Sequence, residues 1–257
     1  MVPRGRKKGI QLILNFLSFS LLACFVASLR CRDKYDAIFV WSVSPVTISL
    51  SALVLKLFKR IPVYNWVADL WPDTVEATGV VNSKFVLGLV NKLSGFIYRY
   101  CDLNLIASAG YRSRMEAQGV LADKIMYWPQ WAESVFTKPL EPNKTVPFPP
   151  LTGFKILFAG NIGSSQGFPT IVDAAEKLRG QIEVHWLILG DGILKPWVEE
   201  QVQKRRLGDN VHLLGKCPLE DVPYYSARVD ALLASLKKDR LFEITVPGKL
   251  QSCLASG

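Results

Sequence analysis

The feature that most constrains this sequence is an alternation of short β-branched or aromatic runs with longer helical runs, which begins at Tyr35 and occurs in two series. Such alternation is typical of βαβ units, because parallel strands need a long crossover connection that is usually a helix. Residues 35–42 (YDAIFVWS) open the first series, and residues 154–159 (FKILFA) open the second. The pattern predicts an α/β protein with two parallel sheets.

Each series predicts its own set of strands and helices. In the first series we expect strands at 35–42, 62–67 and 103–108, and helices at 44–59, 84–100 and 111–118. In the second series we expect strands at 154–159, 184–190, 211–214 and 231–235, and helices at 169–178, at 194–205, after Pro218 and from Pro247 to the end.

The two series are separated by a segment with linker composition. Between Gln130 and Gly153 the periodicity disappears and five prolines occur. Proline clusters between periodic segments are typical of loops and linkers. We therefore expect two Rossmann-like domains, at 1–135 and 154–257, with a linker at 136–153.

Composition limits the partners and the chemistry. The net charge of +9 and the pI of about 9.3 indicate an acidic partner, such as anionic lipid, nucleic acid or a phosphorylated substrate. Five cysteines are scattered without a C-x-x-C pair, and there are two histidines, so neither a zinc site nor a disulfide framework is expected. Dispersed cysteines in a large chain favour a reducing, cytoplasmic protein.

The amino-terminal segment imitates a signal peptide or a membrane anchor. Four basic residues between positions 4 and 8 precede an apolar run at 10–29. Polar residues such as Asn15 and Ser20 interrupt this run. A helix packed on the protein or lying on a membrane surface is therefore favoured over a helix that spans the membrane.

The most informative motif is a glycine-rich turn at 160–167 (GNIGSSQG), between a predicted strand and a predicted helix. Glycines there let the backbone approach a phosphate closely, and free N–H groups with the helix dipole stabilise its charge. A second glycine turn, Gly190-Asp191-Gly192, follows the next predicted strand. Two such turns on one sheet edge predict a nucleotide crevice. The G-x-x-G-x-x-x-G spacing disfavours an NAD enzyme, and the lack of a Walker lysine disfavours a P-loop NTPase.

Four stretches in order resemble one family: VADLWPDTVEATGV (67–80), FAGNIGSSQGFPTIVDAAEKL (158–178), LILGDG (187–192) and VPGKLQSCLASG (246–257). Together they resemble the large fourth family of retaining glycosyltransferases with the GT-B fold. They are most similar to its colanic acid and O-antigen branch, which includes candidate L-fucosamine transferases. The resemblance implies a UDP- or GDP-linked sugar donor, transfer with retention, and no cofactor or obligatory metal.

The resemblance also implies roles for residues of the second half. Gly160 and Gly163 would form the loop beside the donor diphosphate, and Gly190, Asp191 and Gly192 would lie near the base and ribose. Relatives often carry Arg and Lys in the first loop, where this chain has Asn161 and Gln166. Lys249, at the start of the last predicted helix, is therefore the expected phosphate partner.

The candidate catalytic carboxylates come from the same resemblance. Glu243 matches the first acid of the family's Glu-x7-Glu element and is expected to contact the donor sugar, while Gln251 or Ser252 stands in place of the second acid and is expected to contact the ribose. Asp69 of ADLWPD is the expected general base. Asp73 and Glu76 are the alternative carboxylates, and either could instead cap a helix.

The family also suggests partners and a location. The acceptor would be a polyprenyl-diphosphate-linked sugar or glycan in cell-surface polysaccharide biosynthesis, with no nucleic acid partner. The basic amino terminus suits an anionic membrane surface, so we expect a cytoplasmic protein peripheral at the inner face of the plasma membrane. Complete members are longer at both ends, so both domains are expected to be incomplete, and the chain alone poorly stable and inactive. The alternatives are a UDP-sugar 2-epimerase and a membrane-anchored two-lobe binding protein.

Overall fold

The computed structural model describes residues 10–77, 79, 81 and 83–256, with side chains from Leu14 onward. The described chain divides into two compact units. The first comprises the residues up to Pro129 together with Glu243–Thr245, and the second comprises Gln130–Phe242 and the residues from Val246 onward. The domain limits expected from the sequence stay a prediction; residues 136–153 lie in the second unit.

The first unit is built on a four-stranded parallel sheet with the order β1-β2-β3-β4. Its strands are β1 (Ile38–Ser42), β2 (Val63–Val67), β3 (Leu103–Ile106) and β4 (Ile125–Tyr127). Its helices are α1 (Ile10–Arg30), α2 (Ser49–Lys59), α3 (Asp73–Ala77), α4 (Lys84–Tyr100) and α5 (Tyr111–Ala117), with 3-10 turns at Val46–Ile48 and Ala122–Lys124.

The second unit is built on a four-stranded parallel sheet with the order β7-β6-β5-β8. Its strands are β5 (Phe154–Ala159), β6 (Val184–Leu189), β7 (Val211–Gly215) and β8 (Ala231–Leu232). The helices of this part of the chain are α6 (Phe168–Leu178), α7 (Lys195–Lys204), α8 (Val222–Ser226), α9 (Arg240–Glu243) and α10 (Gly248–Ala255), with 3-10 turns at Ser134–Phe136 and Leu219–Asp221.

Side chains alternate across the second sheet and fill a core on each face, as parallel strands covered on both sides require. On one face Phe158 of β5 meets Phe168 of α6 edge to face, with ring centroids 4.9 Å apart. On the other face Leu157 and Leu187 pack with Tyr225 of α8. Both layers fix the strands, so the turns at their carboxyl ends are held from two sides.

A buried chain of polar side chains ties the first sheet to its helices. The Ser49 hydroxyl of α2 donates to Asn65 Oδ1 at 3.0 Å, and Asn65 Nδ2 donates to Asn104 Oδ1 at 3.1 Å. Asn104 Nδ2 then donates to the backbone carbonyl of Tyr98 in α4, at 2.8 Å. Asn65 and Asn104 are fully buried, so these bonds are needed to offset the cost of removing the amides from water.

Helix α1 buries two polar side chains and leaves many of its apolar side chains exposed. Asn15 and Ser20 are buried, and the Ser20 hydroxyl lies 2.7 Å from Thr47 Oγ1. Leu21 and Phe25, in contrast, are 73% and 64% exposed. The helix packs against α2, in agreement with the packed helix favoured by the sequence. Among the described residues, none of the helices has the length and apolar character needed to cross a membrane.

The sequence-based expectation of an α/β protein with two parallel sheets is confirmed. The limits of α4 and β5 are those predicted from the sequence. The helix expected from residue 44 begins instead as a 3-10 turn at Val46 and becomes α-helical at Ser49. The sequence analysis missed β4 and the short helices α3 and α9, which are too brief to show a period.

The buried amide chain predicts a large cost for its central member. Asn104→Ala removes the partner of Asn65 and of the Tyr98 carbonyl, so we expect the free energy of unfolding to fall by about 2–4 kcal/mol. Urea unfolding of the purified chain measures it. Asn143→Ala, at an exposed position, is the control and should change the free energy by less than about 0.5 kcal/mol. Equal effects of the two substitutions would show that the buried chain contributes little.

Candidate functional site

The candidate site lies at the carboxyl edge of the second sheet, where three neighbouring strands each end in a glycine with positive φ. Gly160 follows β5 with φ 142°, Gly190 follows β6 with φ 145°, and Gly215 ends β7 with φ 77°. Backbone in this region is strained for residues with a side chain. The carboxyl edge of a parallel sheet is also where open α/β folds bind ligands.

Two of these turns approach each other so closely that a side chain would not fit. A Cβ atom on Gly190 would overlap the carbonyl of Gly160, and one on Gly192 would overlap the carbonyl of Ile162. The Ile162 N–H donates to the Asp191 carbonyl at 2.8 Å, and Leu194 N–H donates to the Ile162 carbonyl at 3.0 Å. The structure therefore brings the two predicted glycine turns together as one backbone surface.

The loop between β5 and α6 carries the other predicted residues of the first glycine turn. Gly163 lies against the Asn161 amide, because a Cβ on Gly163 would come within 2.5 Å of Asn161 Nδ2. Asn161 borders a shallow depression together with Gly190, Asp191 and Gly192. Gly167, with φ 65°, is the residue before α6, so the loop leads directly into the helix.

Lys249 is placed beside the first glycine turn. Its Nζ lies 3.2 Å from the centroid of the Phe158 ring and 3.3 Å from Gln166 Oε1. A Cβ on Gly160 would come within 3.2 Å of the same Nζ. Burial disfavours the ammonium and lowers the pKa of Lys249 to about 8, against a smaller raising effect of Cys253. The structure thus brings Gly160, Gln166 and Lys249 into one cluster.

Asp191 is held by its own turn and by a second cation. Its Oδ1 accepts from the Gly192 N–H at 2.8 Å, and its Oδ2 lies 3.3 Å from Lys216 Nζ. These two contacts, the Gly192 N–H first, lower the pKa of the Asp191 carboxyl. The sequence analysis missed Lys216. Its signal was a third glycine at the end of a strand, Gly215, directly before it.

Beside this edge lies a cavity of about 370 Å³ within the second unit. It is mostly apolar, with charged and hydroxyl groups at some positions, as ligand sites commonly are. Among the described residues it is lined by Glu133, Phe136, Leu157, Ala159, Gly160, Leu189, Gly190, Lys216, Cys217, Leu219, Val222, Ser226, Leu232, Gly248, Lys249, Ser252, Cys253 and Ser256.

The two residues that replace the second acid of the Glu-x7-Glu element have different surroundings. When the Gln251 amide is turned so that its nitrogen donates, it makes hydrogen bonds to the carbonyls of Pro247 at 2.9 Å and Gly248 at 3.0 Å, at the start of α10. Ser252 lines the cavity and its hydroxyl donates to Glu133 Oε2 at 2.9 Å. Only Ser252 of the pair therefore lines the candidate site.

Asp69, the expected general base, lies at the carboxyl edge of the first sheet. Its Oδ2 accepts from the Ser44 hydroxyl at 2.8 Å and from the Ser44 N–H at 3.1 Å. Trp71 Nε1 donates to the same hydroxyl at 3.3 Å. These contacts fix the carboxylate, which is partly exposed, at the edge where β1 and β2 end.

The remaining predicted carboxylates differ in their surroundings. Asp73 is paired with Arg114, and it borders a small depression of the first unit together with Glu76. Glu243 is exposed at the end of α9 and is grouped with the first unit. The roles of Asp69 and Glu243 stay predictions.

The two histidines, which the sequence leaves far apart, meet on adjacent strands. His185 Nδ1 of β6 lies 3.1 Å from His212 Nε2 of β7. Both stand near the amino ends of their strands, at the edge opposite the glycine turns. Within the part of the chain that the structure describes, no group of three or more His, Cys, Asp or Glu side chains is placed to hold a metal ion.

The two parallel sheets define an α/β protein of two Rossmann-like units. The second unit carries two joined glycine turns at the carboxyl edge of its sheet, and such a backbone surface suits a phosphate group. Residues 141–241 match the family described as glycosyl transferases group 1. WcaI of Escherichia coli (strain K12), provisionally named a colanic acid biosynthesis glycosyl transferase, is 27% identical over 145 residues, which are 54% of this chain and 35% of WcaI. These two matches support the assignment of this chain as a glycosyltransferase.

Solved structures share the fold at low identity. HepE of Anabaena, in complex with UDP, superposes with a TM-score of 0.60 at 14% identity, over 87% of this chain and 59% of HepE. A UDP-N-acetylglucosamine 2-epimerase superposes with a TM-score of 0.54 at 16% identity, over 90% of this chain and 57% of the epimerase. The predicted α/β GT-B class is confirmed by such neighbours. The chain spans about a third of WcaI and less than two thirds of HepE.

The lowered pKa of Lys249 predicts how anion binding depends on pH. A bound diphosphate favours the ammonium, so the pKa rises on binding and a proton is taken up near pH 8. We expect the affinity for a diphosphate, with UDP as the probe, to fall as the pH rises through 8, by up to about tenfold per pH unit. Calorimetric titrations between pH 7 and 9 measure it.

Lys249→Arg keeps the charge at every pH in this range and should remove the dependence. Lys177→Arg on the exposed side of α6 is the control and should keep it. An unchanged pH dependence in Lys249→Arg would assign the proton to another group.

Proposed function

We propose that this protein is a retaining glycosyltransferase of the fourth family, which moves a sugar from a nucleotide donor to an acceptor hydroxyl. The observation that carries the proposal is the pairing of the double glycine turn with Lys249, inside the unit that contains the whole family match. A glycine surface with an adjacent cation suits a nucleoside diphosphate, because backbone N–H groups and positive charge both stabilise phosphate oxygens.

The proposed chemistry uses these groups to stabilise the leaving group. The bond between the anomeric carbon and the diphosphate oxygen breaks, and the acceptor oxygen bonds to the same face of that carbon. Negative charge grows on the departing diphosphate. Lys249, Lys216 and the loop beginning at Gly160 are proposed to stabilise this charge. The acceptor proton passes to the leaving phosphate. Because the leaving phosphate takes this proton, Asp69 is proposed to orient the acceptor and not to act as the general base, and Glu243 is proposed to contact the donor sugar.

The donor is proposed to be UDP- or GDP-linked, and UDP-sugars are the first to test. HepE has been crystallised with UDP, with UDP and glucose, and with UDP-glucose. The pneumococcal O-GlcNAc transferase GtfA, with UDP and GlcNAc, superposes with a TM-score of 0.56 at 13% identity, over 91% of this chain and 43% of GtfA. These ligands were found with those proteins, and they are the reason for testing UDP-sugars before GDP-sugars as donors.

A direct test is sugar transfer by the purified protein, which would also overturn the expectation that the chain alone is inactive. UDP-glucose, UDP-N-acetylglucosamine and GDP-linked sugars are incubated with a polyprenyl-diphosphate-linked sugar as acceptor, and NMR of the product gives the anomeric configuration. Lys249→Met should lower kcat by about 10²–10³-fold, as loss of one transition-state charge partner does. Lys177→Met on α6 is the control and should leave kcat unchanged. An inverted product would exclude retention, and full activity of Lys249→Met would exclude the proposed role of this lysine.

The alternative within enzymes is a UDP-sugar 2-epimerase, because one superposes with a TM-score of 0.54. The match to glycosyl transferases group 1 favours transfer. The same incubations separate the two, since an epimerase would change the configuration at carbon 2 of the nucleotide sugar without any acceptor.

We also propose that α1 lies on the anionic inner face of the plasma membrane, where a polyprenyl-linked acceptor of cell-surface polysaccharide would be found. The support is the outward apolar face of α1, together with the basic sequence at positions 4–8 and Arg30 and Arg32 after the apolar run. An apolar helix face flanked by Lys and Arg suits the lipid interface. The face consists of Leu14, Leu17, Leu21, Leu22, Phe25, Val26 and Leu29.

Vesicle flotation tests this surface. The wild type should float with phosphatidylglycerol vesicles and less with phosphatidylcholine vesicles, because lipid charge adds about 1 kcal/mol per basic residue near the surface. The double variant Leu21→Ser, Phe25→Ser should lose at least tenfold in vesicle affinity, since both side chains are exposed and apolar. Phe85→Ser, another exposed position, is the control and should float like the wild type. Equal flotation of all three proteins would exclude α1 as the contact.

A further inference from the structure

We propose that Tyr111 is a positioning residue, whose hydroxyl ties the segment that carries Glu243 to the turn that carries Asp69. The inference rests on the proposed function, in which Glu243 contacts the donor sugar and Asp69 orients the acceptor. It names the side chain that holds the two groups in one arrangement. The observation behind it is that the first unit includes Glu243–Thr245, although Thr245 is 134 positions away from Tyr111 along the chain.

The backbone that directly follows Glu243 lies against the loop that joins β3 to α5. The Ser108 hydroxyl of this loop, which is 3% exposed, donates to the Ile244 carbonyl. A Cβ atom on Gly110 would come within 2.6 Å of the Ile244 Cβ and 2.8 Å of the Ile244 carbonyl oxygen. Only a glycine leaves room for so close an approach. The loop therefore holds Ile244 by a hydrogen bond and by direct packing.

The Tyr111 hydroxyl makes two hydrogen bonds, each to a different segment. It donates to the Ala68 carbonyl at 3.3 Å and lies 3.2 Å from Thr245 Oγ1. Because a phenol has a single proton, and this proton is directed to Ala68, the Thr245 hydroxyl is the donor of the second bond. Ala68 directly precedes Asp69, and Thr245 follows Glu243 by two positions. One side chain therefore joins the neighbours of both proposed carboxylates.

The surroundings of Tyr111 make its hydroxyl a fixed and neutral contact. The residue is 2% exposed, at the amino end of α5. Burial raises the pKa of the Tyr111 hydroxyl, with a smaller opposing effect of the Thr245 hydrogen bond, and the charges of Asp69 and Asp73 raise it further. The hydroxyl therefore keeps the proton that it donates to Ala68. Displacing it is costly, because buried polar groups would lose their partners.

The tie matters most for Glu243, because the Glu243 side chain is exposed. An exposed carboxylate samples several rotamers, so its position relative to a substrate depends on how firmly its backbone is held. Asp69, in contrast, is also fixed by the Ser44 hydroxyl and N–H. A misplacement of about 1 Å can cost much of an interaction with a bound substrate. We therefore expect loss of the Tyr111 hydroxyl to weaken the contact of Glu243 with the donor sugar, without changing the contacts proposed for the diphosphate.

The test compares nucleotide sugars with nucleotides by calorimetric titration of the whole protein. The probes are UDP-glucose with UDP, and GDP-mannose with GDP. The measured quantity is the affinity for the nucleotide sugar divided by the affinity for the nucleotide. Glu243→Gln should lower this ratio about tenfold, because it removes the charge proposed to contact the sugar. Tyr111→Phe keeps the ring and removes the hydroxyl, and should lower the ratio about threefold to tenfold while the affinity for the nucleotide alone stays unchanged.

A double-mutant cycle shows whether Tyr111 acts through Glu243. If it does, Tyr111→Phe combined with Glu243→Gln should lower the ratio no further than Glu243→Gln alone. Thr245→Val removes the other hydroxyl of the pair and keeps the shape of the side chain, so it should reproduce the effect of Tyr111→Phe. Tyr100→Phe, at an exposed tyrosine of α4, is the control and should leave the ratio unchanged.

A merely structural role of Tyr111 gives a different result. Tyr111→Phe would then weaken the nucleotide and the nucleotide sugar by the same factor, which would overturn the assignment of Tyr111 and leave the proposed function standing. Additive effects of Tyr111→Phe and Glu243→Gln would overturn it as well. If Glu243→Gln left the ratio unchanged, the sugar contact of Glu243 would fail, and the role of Tyr111 with it. If the wild type bound none of the four probes, the proposed function itself would fail together with this assignment.

Discussion

The candidate site depends on one close approach, in which the backbone after β6 lies against the backbone after β5. Gly190 lies so near the Gly160 carbonyl that any side chain would overlap it. The Ile162 N–H and the Asp191 carbonyl join the same two turns. Because packed layers fix β5 and β6 on both faces, the turns cannot move apart without unpacking the core. A rigid backbone surface at a sheet edge is what a phosphate group needs.

Around this surface the positively charged and negatively charged side chains occupy different positions. Lys249 is half-buried against the Phe158 ring, where desolvation weakens its ammonium and an incoming anion would restore it. Lys216 stands on the exposed side, beside Asp191. Glu133 lines the cavity at Ser252. The positive charge near the glycine turns suits the diphosphate of a nucleotide.

In the first unit, helix α1 exposes a row of apolar side chains. Soluble helices usually bury their apolar face, yet here Ser20 is buried at Thr47 while Leu21 and Phe25 face outward. A contiguous apolar surface of this kind is uncommon on monomeric proteins and generally marks a contact. The polar interior contacts, together with packing on α2, hold the helix so that its apolar side chains remain available.

The sequence by itself determined the α/β class, the limits of α4 and β5, and the two glycine turns, because period and turn chemistry are local properties. It did not determine β4, three residues long, which pairs only because β3 offers an edge. Nor could these local properties place Gln166 at Lys249, 83 positions away, or Glu133 at Ser252, although the family resemblance pointed to Lys249 as a partner of the first loop. Such contacts are decided by how strands stack and helices pack, which brings residues together regardless of their separation along the chain. The tertiary structure therefore decided which charges line the site.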